Sequence, residues 1–129
     1  MIVQESYRVL LVDDEEDILE ITRKSLERYG HVAQTFLNSA DALQHFREHP
    51  SDYDVLVTDV RMPGIRGHEL AREAKKINPA IKVFLMSAYE VWQNTPAGDP
   101  ASQIDDFLQK PFDRHVLCMT LRKHLAKSK

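Results

Sequence analysis

The chain has 129 residues, of which 43% are hydrophobic and 29% charged, and its formal net charge at pH 7 is −3. This length suits one domain with a proper core, and the composition is ordinary for a globular protein. The slightly acidic balance gives no reason to expect direct nucleic-acid binding, and no apolar run approaches the roughly 18 residues of a membrane span.

The start of the chain and its cysteine content bear on location. The first residues, MIVQESYRV, lack the basic-then-apolar layout of a signal peptide. The one cysteine, Cys118, has no partner for an intramolecular disulfide, which favours a reducing compartment. We therefore expect a cytoplasmic protein that does not contact membranes.

Short apolar runs rich in β-formers alternate with longer helical patterns along the chain. The runs that predict strands are Arg8 to Val12, His31 to Phe36, Asp54 to Thr58, Ile81 to Met86 and Phe107 to Gln109. Nearly continuous apolar strands that alternate with helices are typical of a parallel sheet covered on both faces. The sequence therefore predicts an α/β fold.

Helical patterns fill the gaps between these strands. The predicted inner face of the first helix consists of Ile18, Ile21, Ser25, Leu26 and Tyr29. Gly30 is the glycine expected to end that helix, and Ser39 is expected to cap the second. A third helix is predicted from Gly67 to Ile77, and a last helix is predicted to begin at Asp113.

Residues 89–103, YEVWQNTPAGDPASQ, depart from this alternation where the fourth helix along the chain is due. Pro96, Gly98 and Pro100 lie close together there. A proline inside a helix removes a backbone donor and clashes with the preceding turn. We expect either one short helical piece before Pro96 or a segment that is largely loop.

The clearest functional signal is LLVDDEED at the end of the first predicted strand, where three apolar residues run into five acids. Carboxylates about 4 Å apart at a surface repel by roughly 4 kcal/mol at an effective dielectric near 20. Asp13 and Asp14 follow strand one and Asp59 follows strand three, so all three are expected at the ligand-binding edge of the sheet. A hard divalent cation such as Mg²⁺ would offset their repulsion.

Two further polar groups are predicted at the same edge. Lys110 ends strand five, just before Pro111, and Ser87 ends strand four. Acids, a hydroxyl and a lysine on four strand ends predict a site that handles phosphoryl groups. The acids at 15–17 are placed instead in the first turn of a helix, where they oppose the macrodipole.

Four motifs, VDDEED, VTDVRMPGIRG, FLMSA and DDFLQKPF, resemble in order and spacing the receiver domain of two-component response regulators. The resemblance covers essentially the whole chain. It implies a flavodoxin-like, doubly wound sheet of five parallel strands in the order 2-1-3-4-5, with helices on both faces. It also implies a phosphorylation-dependent signalling switch, which a histidine kinase or a histidine phosphotransfer protein would phosphorylate and an unknown downstream protein would read.

The resemblance implies a role for each residue of the predicted site. Asp59 would accept the phosphoryl group. Asp14 and Asp59 would bind Mg²⁺, or Mn²⁺ in its place, with Asp13 acting through water and Arg61 through its backbone carbonyl. Lys110 would pair with Asp59 before phosphorylation and with a phosphoryl oxygen afterwards.

The resemblance also implies a switch. Ser87 would hydrogen-bond a second phosphoryl oxygen, and Phe107 would be the aromatic side chain that rotates inward. The step from Lys110 to Pro111 would carry a cis peptide bond, which X–Pro steps tolerate better than others. Arg61 and Tyr89 lie two residues beyond Asp59 and Ser87 and have no group to orient a hydrolytic water, so we expect slow autodephosphorylation.

Three other functions compete with this interpretation. Enzymes with an aspartyl nucleophile commonly carry a second acid two residues further on, where this chain has Arg61. A flavodoxin-like cofactor binder would need a loop of Gly, Ser and Thr after the first strand, where the acids of DDEED would repel phosphate. A pseudo-receiver scaffold would not need the complete acceptor set. We expect no enzymatic turnover, and one receiver domain over residues 1–129 with no attached output domain.

Overall fold

A computed structural model of the chain describes residues 6–62, 64–87, 104–110 and 114–125. The strands are β1 (Arg8–Val12), β2 (Val32–Phe36), β3 (Val55–Asp59), β4 (Lys82–Ser87) and β5 (Asp106–Gln109). They form one sheet in the order β2-β1-β3-β4-β5, and every neighbouring pair is parallel. The predicted fold class and strand order are confirmed.

The described helices are α1 (Glu16–Arg28), α2 (Ser39–Glu48), α3 (Gly67–Ile77) and α4 (Arg114–Leu125). Within the described ranges, no helix is both long and apolar enough to cross a membrane. The predicted start of the last helix at Asp113 and the irregular segment at 89–103 lie outside the described residues.

Two hydrophobic clusters, one on each face, hold the sheet between its helices. Successive strand residues point to opposite faces, so Leu10 packs with Phe46 of α2 and Leu70 of α3, while Leu11 packs with the α1 and α4 side. The second cluster includes Leu26 and Leu117. Burial of each such side chain contributes roughly 1.5–3 kcal/mol. Burial on both faces explains why the strands read as continuous apolar runs.

The predicted inner face of α1 is right for Leu26 and wrong for Ile18 and Ile21. The buried residues are Leu19, Thr22 and Leu26, whereas Ile21 is 63% exposed and Ile18 is 36% exposed. The predicted residues and the buried residues both recur with helical spacing, so periodicity alone could not choose between the two faces. Thr22 can be buried because its hydroxyl donates to the Ile18 carbonyl oxygen at 2.8 Å.

Two predictions about helix ends have different outcomes. Gly30 follows α1 with a φ of 88°, a backbone conformation that glycine adopts without strain, so its terminating role is confirmed. Asn38, not Ser39, caps α2, because the Asn38 side chain accepts a hydrogen bond from the Asp41 backbone N–H at 2.8 Å. Ser39 is the first helical residue, and its hydroxyl donates to the Ile65 carbonyl oxygen at 2.6 Å.

Candidate functional site

The carboxyl ends of four adjacent strands bring the predicted site residues together. Asp13 directly follows β1, Asp59 and Ser87 are the last residues of β3 and β4, and Lys110 directly follows β5. In the strand register, Asp59 lies opposite Met86. Because these strands are parallel neighbours, their ends form one edge of the sheet, where ligands bind in open α/β folds.

Lys110 joins two of the acids. Its Nζ donates to Asp13 Oδ2 at 2.9 Å and to Asp59 Oδ2 at 3.1 Å. The sequence predicted the contact with Asp59 but not the closer one with Asp13. The backbone N–H of Lys110 donates to the Ser87 carbonyl oxygen at 2.8 Å, which fixes the end of β5 against β4.

The two carboxylates that Lys110 contacts differ in their exposure. Asp13 is fully buried, and its Oδ1 accepts the Glu15 backbone N–H at 3.0 Å. Asp59 is 8% exposed, so its carboxylate remains accessible from solvent. A buried charge without a partner costs several kcal/mol, and Lys110 and the backbone N–H supply partners for Asp13.

Burial and charge act in opposite directions on the acidity of Asp59. Burial raises the pKa of the Asp59 carboxyl, the Lys110 charge lowers it and the Asp13 charge raises it, with a net result above its ordinary value. Burial would lower the pKa of the Lys110 ammonium, but hydrogen bonds and charges from Asp13 and Asp59 leave it raised. The edge therefore holds a charged lysine beside negative charge that is only partly compensated.

An acidic cluster surrounds this contact. One carboxylate oxygen from each of Asp13, Asp14, Glu15 and Asp59 lies within 4.8 Å of the others. Asp14 and Glu15 are exposed, so the cluster opens to solvent. Oxygen ligands of this kind suit hard cations such as Mg²⁺ and Mn²⁺, so the residues present fit the predicted metal.

Glu15 was misplaced by the sequence prediction. It is the N-cap residue of α1 with extended backbone, and Glu16 begins the helix. The hydrogen bond from its N–H to Asp13 Oδ1 turns the chain so that the Glu15 carboxylate faces the cluster. An Asp side chain commonly accepts the backbone N–H two residues further on, so the position of Asp13 could have predicted the turn at Glu15.

Gly67 is a second residue whose part the sequence did not reveal. A Cβ there would lie 2.2 Å from the Asp59 carbonyl oxygen and 2.9 Å from the Val60 Cα. The Gly67 N–H donates to the Val60 carbonyl oxygen at 3.0 Å. The start of α3 thus packs directly on the backbone that carries Asp59, which only glycine permits.

The remaining predicted site residues differ in where they lie. Ser87 and Phe107 are buried, at 4% and 7% exposure, while the Arg61 side chain is exposed. The backbone N–H of Arg61 is close enough to the Asp59 carboxylate to lower the pKa of that carboxyl. Pro111 lies outside the described residues, and with it the predicted cis peptide bond.

The family model for the response regulator receiver domain matches residues 9–122. The chain belongs to this family. As a receiver domain, it functions in phosphorylation-dependent two-component signalling, and receiver domains act as switches. The resemblance stated from the four motifs is confirmed.

Individual relatives agree with this assignment. The response regulator receiver protein CpdR of Brucella abortus is 33% identical over 92% of this chain and 96% of its own. A receiver domain structure from Clostridium thermocellum is 28% identical, with a TM-score of 0.85 over 92% of this chain and 94% of its own. Response regulator TrrA of Thermotoga maritima, solved in complex with Mg²⁺-BeF, is 31% identical. Its TM-score is 0.79, and the match covers 92% of this chain and 99% of the TrrA chain.

Other curated relatives are longer than this receiver domain. The chain spans 13% of the length of a sensor kinase, 52% of a response regulator and 27% of a transcriptional regulatory protein. Receiver domains therefore occur in this family both as most of a protein and as one part of a larger one.

Proposed function

We propose that Asp59 is the phosphoacceptor of this receiver domain and that a histidine kinase or a histidine phosphotransfer protein is its donor. The contacts of Lys110 carry the proposal. Asp59 is the carboxylate that both touches Lys110 and keeps some exposure, whereas Asp13 touches Lys110 but is fully buried. A donor can reach only the first of these two.

The transfer is a nucleophilic substitution at phosphorus. A bond forms between an Asp59 carboxylate oxygen and phosphorus while the bond from phosphorus to the donor imidazole nitrogen breaks, and the departing imidazole takes a proton from solvent. Lys110, now 3.1 Å from Asp59, then pairs with a phosphoryl oxygen. The product adds roughly −1.5 to −2 charges and three acceptor oxygens at this edge.

Mg²⁺, or Mn²⁺ in its place, is the proposed cofactor. Asp14 and Asp59 would bind the cation directly. Asp13 would act through water and Arg61 through its backbone carbonyl. Glu15 adds a further carboxylate oxygen to the same cluster. When bound, the cation supplies positive charge that neutralises the transferred group. The complex of the relative TrrA with Mg²⁺-BeF supports this part of the proposal.

Ser87 and Phe107 are proposed to carry the signal from the site to the surface. The hydroxyl of Ser87 would bind a phosphoryl oxygen, and Phe107, one strand away on β5, would move with it. Phe107 packs in the same cluster as Val60, the residue after Asp59. A packed cluster changes in discrete steps, which suits a two-state switch read by a downstream protein.

The remaining parts of the proposal concern context and lifetime. We propose a cytoplasmic location, and a single domain without direct nucleic-acid contact. Slow autodephosphorylation is proposed because Arg61 has no amide or carboxylate to orient water and its exposed side chain lines the same cavity as Asp14. An Arg61→Asn variant that loses the phosphoryl group no faster than the parent would contradict this.

Mass spectrometry of the intact protein tests the proposal. The protein is incubated with a small-molecule phosphodonor in Mg²⁺ or in a chelator, beside Asp59→Asn and beside Asp52→Asn, which alters an acid outside the cluster. We expect one Mg²⁺-dependent phosphoryl adduct in the parent and in Asp52→Asn, and none in Asp59→Asn. An adduct that persists in Asp59→Asn would refute Asp59 as acceptor.

A further inference from the structure

An open cavity of about 510 Å³ adjoins the acidic cluster and is lined by Asp14, Arg61, Met62 and Arg66. It shares Asp14 with the cluster, so it forms one side of the entrance to Asp59. Both arginine side chains are exposed, and the structure records no ion pair between either guanidinium and a carboxylate of the described residues. Two guanidinium groups thus line this side of the entrance, and among the described residues neither forms an ion pair with a carboxylate.

The charges at this edge explain what the arginines contribute. Four clustered carboxylates against the one lysine leave three net negative charges. A bound divalent cation reduces these to one, and this negative charge still repels a phosphoryl donor, which is itself an anion. Arg61 and Arg66 add two positive charges, and the Glu69 carboxylate, which accepts the Arg66 backbone N–H, offsets at most one of them, so the entrance carries no net negative charge once the cation is present.

Arg66 has a fixed place in the loop between β3 and α3. It is the N-cap residue of α3, and its backbone N–H donates to Glu69 Oε1 at 3.3 Å. The dipole of α3 adds partial positive charge at its start, on the same side. Arg61 is two residues beyond Asp59, the last residue of β3. Both cations are therefore attached to backbone that the site itself positions.

We propose that Arg61 and Arg66, the arginine pair, draw the anionic phosphoryl donor to the entrance and so set the rate at which donors reach Asp59. This inference rests on the proposed function. The arginine pair acts on the approach of the donor and takes no part in the transfer of the phosphoryl group. It recognises the shared feature of the donors, a dianionic phosphoryl group, because guanidinium groups pair well with phosphate oxygens.

This assignment makes two predictions of opposite sign. Removing two positive charges weakens the attraction of an anionic donor, so phosphorylation slows. The same change removes repulsion of a cation at Asp14, so Mg²⁺ binds more tightly. Arginines that are only solvated surface residues would change neither quantity, and arginines that merely hold the loop in shape would weaken both when removed.

The experiment compares the parent with Arg61→Gln/Arg66→Gln. The second-order rate constant for phosphorylation by acetyl phosphate is measured in saturating Mg²⁺ over a range of salt concentrations. The Mg²⁺ dissociation constant is measured separately by calorimetry, without donor. Arg72→Gln/Arg122→Gln is the matched control, because both residues are exposed and the net charge changes equally. Arg61→Lys/Arg66→Lys keeps the charge while changing the shape.

We expect the glutamine pair to slow phosphorylation on the order of tenfold at low salt, with a flatter salt dependence than the parent. Its Mg²⁺ affinity should rise about threefold. The lysine pair should retain most of the parent rate, and the control pair should match the parent in both measurements. Equal rates in the glutamine pair and the parent, or slower phosphorylation together with weaker Mg²⁺ binding, would overturn the inference.

Failure of the proposed function would look different. In that case the parent itself would form no Mg²⁺-dependent adduct, or Asp59→Asn would still form one. If the parent is phosphorylated at Asp59 and the glutamine pair keeps the parent rate, only the inference about the arginine pair fails.

Discussion

The ammonium of Lys110 lies 2.9 Å from the carboxylate of the fully buried Asp13. The same group contacts Asp59 at 3.1 Å, so one lysine stabilises a structural acid and the proposed acceptor together. Phosphorylation of Asp59 would therefore change the surroundings of Asp13 as well. This shared contact links the stability of the domain to the chemistry of the site.

Removal of the Lys110 charge should destabilise the domain. Lys110→Met leaves Asp13 buried without its cation, a change that costs roughly 3–5 kcal/mol for a fully buried pair. Because the Lys110 side chain is 20% exposed, we expect about 1–3 kcal/mol in urea unfolding without Mg²⁺. Adding Asp13→Asn to Lys110→Met should recover part of the loss, and a double variant less stable than Lys110→Met would contradict the pairing.

Mg²⁺ should raise the stability of the folded domain. A ligand that binds only the folded state at ten times its dissociation constant contributes about 1.4 kcal/mol, which thermal unfolding detects easily. Asp14→Asn should remove most of this gain while it leaves the metal-free protein folded, because Asp14 is exposed. An equal Mg²⁺ effect in Asp14→Asn and in the parent would exclude Asp14 as a ligand.

The raised pKa of Asp59 gives its substitution a defined pH dependence. The pKa of the Asp59 carboxyl is raised above its ordinary 3.8 in the folded protein. The folded state therefore loses stability as the pH rises from the ordinary pKa to the raised one. Asparagine does not titrate, so without Mg²⁺ the stability of Asp59→Asn relative to the parent should increase from below pH 3.8 upward and then level off. Urea unfolding across this range measures the difference, and a constant or shrinking difference would show that burial does not disfavour the Asp59 charge.

Gly67 and Gly64 offer a matched pair of substitutions. Gly67→Ala places a Cβ against the backbone of Asp59 and should cost at least the roughly 1–3 kcal/mol typical of overpacking, together with slower phosphorylation. Gly64 has a φ of 82°, and a Cβ added there would meet nothing within 4 Å, so Gly64→Ala should cost about 1–2 kcal/mol of strain and leave the site intact. Normal phosphorylation of folded Gly67→Ala would show that the close approach does not position Asp59.

The sequence predicted the sheet and the positions of the chemical groups well, for a physical reason. Parallel strands bury both faces and end at one edge, so Asp13, Asp59 and Lys110 could be assigned to one place from their strands alone. The inner face of α1 could not be chosen, because Ile18 and Leu19 each begin a stripe with helical spacing. Such a choice depends on how the helix packs on the sheet.

The part of Glu15 and Gly67 in the site also depends on three-dimensional contacts. The Glu15 N–H donates to the Asp13 carboxylate, and the Glu15 carboxylate lies in the acidic cluster. Gly67 is required by the approach of α3 to the carbonyl of Asp59, which no local pattern reveals. The segment 89–103, for which we expect either one short helical piece before Pro96 or a segment that is largely loop, lies outside the described residues and stays a prediction.

The most direct test is to locate the phosphoryl group in the phosphorylated protein. The protein is phosphorylated by a small-molecule donor in Mg²⁺, reduced with borohydride, digested and sequenced by mass spectrometry. An acyl phosphate is reduced to an alcohol, so the modified residue is marked permanently. We predict that Asp59 alone is converted to homoserine. Conversion of Asp14 or Glu15, with Asp59 unchanged, would contradict Asp59 as the acceptor.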